Sequence, residues 1–261
     1  MPEFVTTETH GHVLVVTMNR PEVYNAVHPP MHAEMDAVWN DFRDNSDLWV
    51  AILTGAGDKA FSAGNDLKAF AQVAASGAQQ APIPASGFAG LSRRFDLDKP
   101  IIAAVNGFAM GGGFETALSC DIILGAARST YALPEVKVGF FAATGGVQRL
   151  SRYMSPTKAA ELLFTGRAMD AEEALNHGIL NAIHPDDGLM DAAMAMAQDI
   201  ASQAPSSVRA TKRVLNALER DALDDSLGHS YDVLRDLMQT EDHREGVTAF
   251  AEKRKPNWVN R

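Results

Sequence analysis

Residues 107–118 read GFAMGGGFETAL: three consecutive glycines open an apolar stretch that carries a single acid, Glu115. Glycine is costly inside a helix, yet it lets a backbone approach a ligand closely and take angles that other residues resist. A helix N-terminus offers unpaired N–H groups and the positive end of a dipole. Gly111, Gly112 and Gly113, followed by helix-favouring FETAL, therefore present donors to something negative. A dinucleotide fingerprint fails, because G-x-G-x-x-G counted from Gly111 ends on Thr116, and the Gly-Lys-Ser/Thr of a phosphate loop is absent from the sequence. Two readings stand. The glycines form an oxyanion hole, whose N–H groups hold charge that develops during reaction, or a tight helix–strand contact that needs small residues.

Working outward, IIAAVNG (101–107) precedes the run, DIILGA (121–126) follows it and WVAILTG (49–55) comes earlier; all three read as buried strands. Each leads into a turn and a helix-like stretch. FVTTETHGHVLVVTMNR (4–20) alternates about a His-Gly turn and predicts a β-hairpin. HPPMHAEMDAVWNDFRD (28–44) predicts a helix, with prolines at its start and Met31, Met35, Val38 and Phe42 at helical spacing. Repeated strand-rich, helix-closed units argue for an α/β fold whose turns stack on one another.

After residue 187 the periodicity is helical throughout, in LMDAAMAMAQDIASQ, SSVRATKRVLNALER and SYDVLRDLMQ. In the closing EDHREGVTAFAEKR, Asp242 and Glu245 have capping-box spacing, so a helix is expected to begin at Asp242. The chain thus divides into 1–187 and a helical module, 188–261. Residues 71–90, AQVAASGAQQAPIPASGFAG, read as a mobile loop, either a surface excursion or a lid over a pocket.

Composition narrows the function. The 261 residues carry a net charge of −10, which disfavours nucleic acid and an anionic membrane surface. KRVLNALERDALDD (212–225) mixes both signs and makes no basic stripe. The N-terminus lacks the pattern of a signal peptide, and no apolar run is long enough for a membrane span. The lone Cys120 fits a reducing, cytoplasmic setting and reads as a small buried residue. His28 and His32 share a helical face as a packed or solvated pair, and no HExxH or Cys/His cluster suggests a metal. Ser62 stands beside Gly64, but the G-x-S-x-G elbow of a serine hydrolase is missing.

Two further stretches bear on the glycine run. FSAGNDL (61–67) again places small residues and Gly64 before a possible helix, with Asp66 near its start; its backbone could supply a second donor. YALPEVKVGF (131–140) places Glu135 after a proline turn. An acid in an apolar surround must be paired or functional. Two such acids on one cavity could hold a water, one removing its proton and the other delivering a proton to substrate.

IIAAVNGFAMGGGFETALSCDI, FSAGNDL and LPEVKVGFFAATGGVQRL together resemble the enoyl-CoA hydratase/isomerase (crotonase) family. The likeness runs from MNRPEVYNAV to REGVTAFAEKRKPNW. It implies a spiral of ββα units with a helical C-terminal trimerisation region, assembled as a homotrimer or a dimer of trimers. It implies an acyl-CoA thioester as substrate and no separate cofactor, since coenzyme A belongs to the substrate. The two oxyanion-hole N–H groups fall on Asn65 and Gly112, and the water-activating glutamates on Glu115 and Glu135. Retention of both acids favours hydration of a 2-enoyl-CoA over isomerisation. Coenzyme A is expected at Val23, Asn25 and Ala26, at Ser62, Ala63, Gly64 and Asp66, and, for its phosphates, at Lys253 of a neighbouring subunit. Where many members carry proline and aspartate after the second acid, this chain has Ala142 and Ala143, preceded by bulky Phe140 and Phe141. That loop suits an apolar acyl chain; the lost acid weakens, and the aromatic rings leave open, a trimethylammonium-bearing one.

Overall fold

The structure, a computed structural model, describes residues 3–70 and 84–259. Chain order runs β1 (Val5–His10), β2 (Val13–Met18), α1 (Pro29–Asp44), β3 (Val50–Gly55), β4 (Ala60–Ser62), β5 (Ile101–Val105) and β6 (Phe108–Met110). It continues with α2 (Gly112–Ala117), β7 (Ile122–Ala126), β8 (Thr130–Ala132), α3 (Gly146–Tyr153), α4 (Pro156–Thr165), β9 (Met169–Asp170), α5 (Ala171–Asn176) and β10 (Ala182–His184). Helices α6 (Leu189–Ala201), α7 (Pro205–Leu237) and α8 (Glu241–Ala251) close the chain.

The first three β-pairs explain the architecture. β3, β5 and β7 lie in one sheet of order β1-β2-β3-β5-β7-β10, while β4, β6 and β8 lie in a second, of order β4-β6-β8-β9. The chain therefore turns a corner between the sheets in each repeat. β2, β3, β5, β7 and β10 pair in parallel, as do β4, β6 and β8. The antiparallel β1–β2 hairpin forms one edge. Strands buried on both faces need unbroken apolar runs, which is how β3 and β5 are composed and how they sit. Asn106 ties one corner: its amide donates to the Gly55 and Gly57 carbonyls, each at 2.8 Å.

Helix α1 turns Met31, Met35, Trp39 and Phe42 into the main core, all fully buried. Helix α6 covers the other face of the first sheet, setting Leu189, Ala193 and Ala197 against Val15, Ile52, Ile102 and Leu124. Cys120 is buried in the main core as a packed thiol; burial pushes its pKa far up.

SSVRATKRVLNALER and SYDVLRDLMQ, both expected to be helical, belong to the single 33-residue α7. One expectation is corrected. The helix expected to begin at Asp242 begins at Glu241, and its cap is Thr240, whose hydroxyl accepts from the His243 N–H at 3.1 Å. A Thr ahead of two acids caps as well as the Asp–Glu spacing would, and it comes first in the chain. Most of the expected loop lies outside the described residues, but 84–90 ends in a tight turn with Phe88, Ala89 and Gly90 buried.

Helix α7 is latched to the sheet. The Lys212 ammonium, buried, donates to the Lys99 carbonyl and to Asp121 Oδ2, both at 2.7 Å, and the same oxygen accepts from the Ile101 N–H at 2.7 Å. Removing one partner of a buried pair leaves an uncompensated charge. Asp121→Ala is expected to lower unfolding stability by roughly 3 kcal/mol, read as a lower urea midpoint.

Candidate active site

The site lies where the second sheet meets α2. Gly111 takes a left-handed φ of +54° as the residue before α2, and its N–H is used by the Ala132 carbonyl at 2.9 Å. Gly112 begins the helix, so its N–H has no partner within α2. Gly113 sits against β4: a side-chain carbon there would overlap the Ser62 carbonyl. The tight helix–strand contact expected of the glycine run is present, and it sets the Gly112 N–H beside residues 62–65.

Residues 62–65 supply the facing wall. Asn65 forms an isolated parallel bridge with Val27, in which Val27 N donates to Gly64 O at 2.7 Å and Asp66 N donates to Val27 O at 2.9 Å. In that geometry the N–H of Asn65 itself points away from Val27. The other side is occupied by the glycine run: a Cβ on Gly64 would lie 2.8 Å from Gly112 N and 2.6 Å from Met110 O. Gly64 also has a left-handed φ of +84°. The segments holding the Asn65 and Gly112 N–H groups are therefore in contact, and neither donor has a protein acceptor among the described residues.

The acids face opposite circumstances. Glu115 is buried, and its carboxylate accepts from Thr144 N at 2.9 Å, from Gly146 N at 2.8 Å and from the Thr144 hydroxyl. Burial raises its pKa, and these three donors, with the Arg149 charge, pull it back down. Glu135 stands on a 3-10 turn, Glu135–Val138, with Gly139 in a left-handed φ behind it. Both its carboxylate oxygens are enclosed without a hydrogen-bond partner among the described residues. Its pKa is raised well above the ordinary carboxyl value, first by burial and then by the Glu115 charge. A Cβ on Gly111 would lie 3.2 Å from Glu135 Oε1, so this carboxyl rests over the residue that opens the helix carrying Glu115. Both acids therefore have raised pKa values, Glu135 the more strongly.

The remaining residues expected around coenzyme A form a compact web. The Asn25 side chain donates to the Ala56 and Ala60 carbonyls, each at 3.0 Å, and accepts from Arg20 N. Ser62 Oγ donates to the Asn25 carbonyl at 2.8 Å, and Ala63 N to the Tyr24 carbonyl at 2.9 Å. Asp66 caps the following helical turn through Ala69 N and pairs with Arg20 at 3.0 Å; Arg20 also donates to the Ala26 carbonyl. Val23 ends a short 3-10 turn beside left-handed Tyr24. Asn25 and Ser62 are thus committed to the frame. Lys253 is exposed on the turn that ends α8, at φ 55°.

Thr144, Gly146 and Arg149 escaped the sequence reading. The TGG before α3 was visible, but nothing in one dimension says that the start of α3 points at an acid 29 residues earlier. Arg149, buried, pins α3 by donating to Glu219 at 2.8 Å and to the Ser92 carbonyl at 3.0 Å. Helix α8 braces the Glu135 turn: His243 Nδ1 lies 3.1 Å from the Gly139 carbonyl oxygen, and a Cβ on Gly246 would meet Val138 backbone at 2.5 Å.

The site thus brings together stacked ββα turns, two N–H groups without acceptors among the described residues, and a pair of acids unequal in their hydrogen-bond partners. The chain belongs to the enoyl-CoA hydratase/isomerase family, whose model matches residues 8–261. It is 44% identical to a carnitinyl-CoA dehydratase of Citrobacter koseri and 43% identical to one of Salmonella paratyphi A, each alignment covering both chains completely. Among solved structures it matches a carnitinyl-CoA hydratase from Mycobacterium avium with a TM-score of 0.90 at 37% identity, covering 99% of both chains. An enoyl-CoA hydratase from Mycobacterium tuberculosis matches over all of both chains with a TM-score of 0.77 at 35% identity. The mixed α/β crotonase fold and the hydro-lyase class agree with these relatives.

Because Glu135 has a raised folded-state pKa, its favourable contribution holds at low pH and is lost as pH rises through that value. Glu135→Gln does not titrate. Its Tm is expected to match wild type in acid and to exceed it increasingly above the ordinary carboxyl range, which a thermal melt series across pH will read.

Proposed function

We propose that this protein catalyses reversible addition of water to a 2-enoyl-CoA thioester. The observation that carries the proposal is the unequal pair of acids: Glu115 with three hydrogen-bond donors, Glu135 with none among the described residues. The thioester carbonyl oxygen sits between the Asn65 and Gly112 N–H groups, which stabilise the enolate as it forms. Ionised Glu115 takes a proton from water while the hydroxyl adds to C3. Protonated Glu135 delivers its proton to C2 as the enolate collapses. Both acids change protonation state in the step, and exchange through solvent resets them. Two proton transfers and one oxyanion complete the balance, so the reaction as written uses no redox step, and coenzyme A arrives with the substrate.

Coenzyme A runs over the backbone of Val23–Ala26 and Ala63–Asp66, and Lys253 of a neighbouring subunit meets its phosphates. Assembly into a homotrimer or a dimer of trimers is supported by the exposed Val214, Leu215 and Leu218 on α7, a stripe that a second copy would cover. We place the enzyme in the cytoplasm; no helix among the described residues is long and apolar enough to cross a membrane.

A second acyl group, the trimethylammonium-bearing one of carnitinyl-CoA, is favoured by the names of the relatives above and by an aromatic cluster beside the Glu135 turn. Phe140 meets His243 edge-on at 4.4 Å and Phe70 at 5.7 Å. Aromatic faces attract a quaternary ammonium.

Hydration of crotonyl-CoA, followed by loss of enoyl-thioester absorbance, tests the chemistry. Glu115→Gln and Glu135→Gln are each expected to lower kcat by roughly 100- to 10,000-fold; wild-type-like rates in either would overturn the assignment. Running crotonobetainyl-CoA alongside decides the acyl group through the ratio of kcat/KM values.

A further inference from the structure

The turn at 86–94 is held far more tightly than core packing requires. Gly87, Ala89 and Gly90 all have left-handed φ values, of 86°, 51° and 67°. Ala89 is the informative one, because an alanine held there costs about 1–3 kcal/mol and persists only where its surroundings impose it. Its two backbone polar groups are both taken by side chains of α1. The Ala89 N–H donates to His32 Nδ1 at 3.1 Å, and the Ala89 carbonyl accepts from Trp39 Nε1 at 3.1 Å. His32 and Trp39 stand two helical turns apart on one face. Between them, Asp36 accepts from the Ser86 hydroxyl and pairs with Arg94, whose Nε donates to the Gly90 carbonyl at 2.7 Å. For Nδ1 to accept, His32 must be neutral, and burial lowers its pKa to about 4.

What the clamped turn presents is Phe88. Its ring stands edge-on to His32 at 4.6 Å, and a Cβ on Gly112 would lie 2.5 Å from the ring's Cζ. The ring thus occupies the side-chain space of Gly112 and keeps water from that flank of its peptide. We infer that His32 and Trp39 are positioning residues for the oxyanion hole: by clamping Ala89 they close the Phe88 ring over Gly112 and hold its N–H at the substrate carbonyl. The inference rests on the oxyanion role given to Gly112 under the proposed function. A donor in a dry, fixed setting is worth far more than a mobile one.

The test uses the full chain and 2,4-hexadienoyl-CoA, a conjugated thioester whose absorbance moves to the red when its carbonyl is polarised. His32→Leu removes the acceptor for Ala89 N–H. His32→Asn restores an acceptor near the Nδ1 position. Trp39→Phe removes the donor to the Ala89 carbonyl, together with part of the buried ring volume, and serves if His32→Leu does not fold. His32→Leu and Trp39→Phe, melting as single transitions, are expected to lose at least half of the red shift and about tenfold to a hundredfold in kcat for crotonyl-CoA, with binding of free coenzyme A unchanged. His32→Asn is expected to regain most of the shift. A folded His32→Leu or Trp39→Phe variant with the wild-type shift and kcat overturns the inference and leaves the hydratase reading intact. Wild-type enzyme that binds hexadienoyl-CoA with no shift overturns the oxyanion reading itself.

Discussion

A carboxylate buried at the start of a helix stays charged only if something answers it, and here the start of another helix does so. The Thr144 and Gly146 N–H groups and the Thr144 hydroxyl converge on Glu115. Much of the structure follows from keeping that convergence. Arg149 pins α3 to the Ser92 carbonyl and to Glu219 of α7, so the donors cannot drift from the acid. Gly146 is glycine because a Cβ there would press on Glu115 Oε1 at 2.9 Å. Burial, and then the Glu115 charge, raise the pKa of Glu135, whose oxygens have no donor among the described residues.

The second acid depends on a different support. Its turn is braced by α8, which packs Gly246 on Val138 and His243 on Gly139. The helical C-terminal stretch is therefore part of the site within one chain, whatever it also does between chains. The latch of Lys212 on Lys99 and Asp121 ties α7 to the same frame. The β-spiral alone would leave Glu135 on an unsupported turn.

Close approach of backbones is the third requirement. Residues 62–65 and 110–113 touch through Gly64 and Gly113, where side chains would collide with Gly112 N and the Ser62 carbonyl. Two segments from distant parts of the chain, each holding an N–H group without an acceptor among the described residues, are thereby brought into contact. The Phe88 turn, set by α1, covers the remaining flank.

The strands were legible from the sequence because apolar runs such as WVAILTG and IIAAVNG bury both faces, and α1 was legible from the 3.6-residue spacing of Met31, Met35, Val38 and Phe42. The glycine run and its acid marked the site, since neither makes sense as plain core. Periodicity also marked the last third as helical, though the capping-box spacing put the start of the final helix one residue late and missed Thr240 as its cap. Other things were beyond it. The sequence shows Glu115 and Glu135 as two acids of the same type; that one receives the start of α3 and the other has no donor among the described residues is decided by packing. Thr144, Arg149, His32 and Trp39 carry no local mark of their roles, because each acts through a contact with a segment far along the chain. Residue type and spacing determine which elements form and which groups are available. Only the packing of those elements decides the distances between charges and donors, and the protonation of a buried acid is set by those distances.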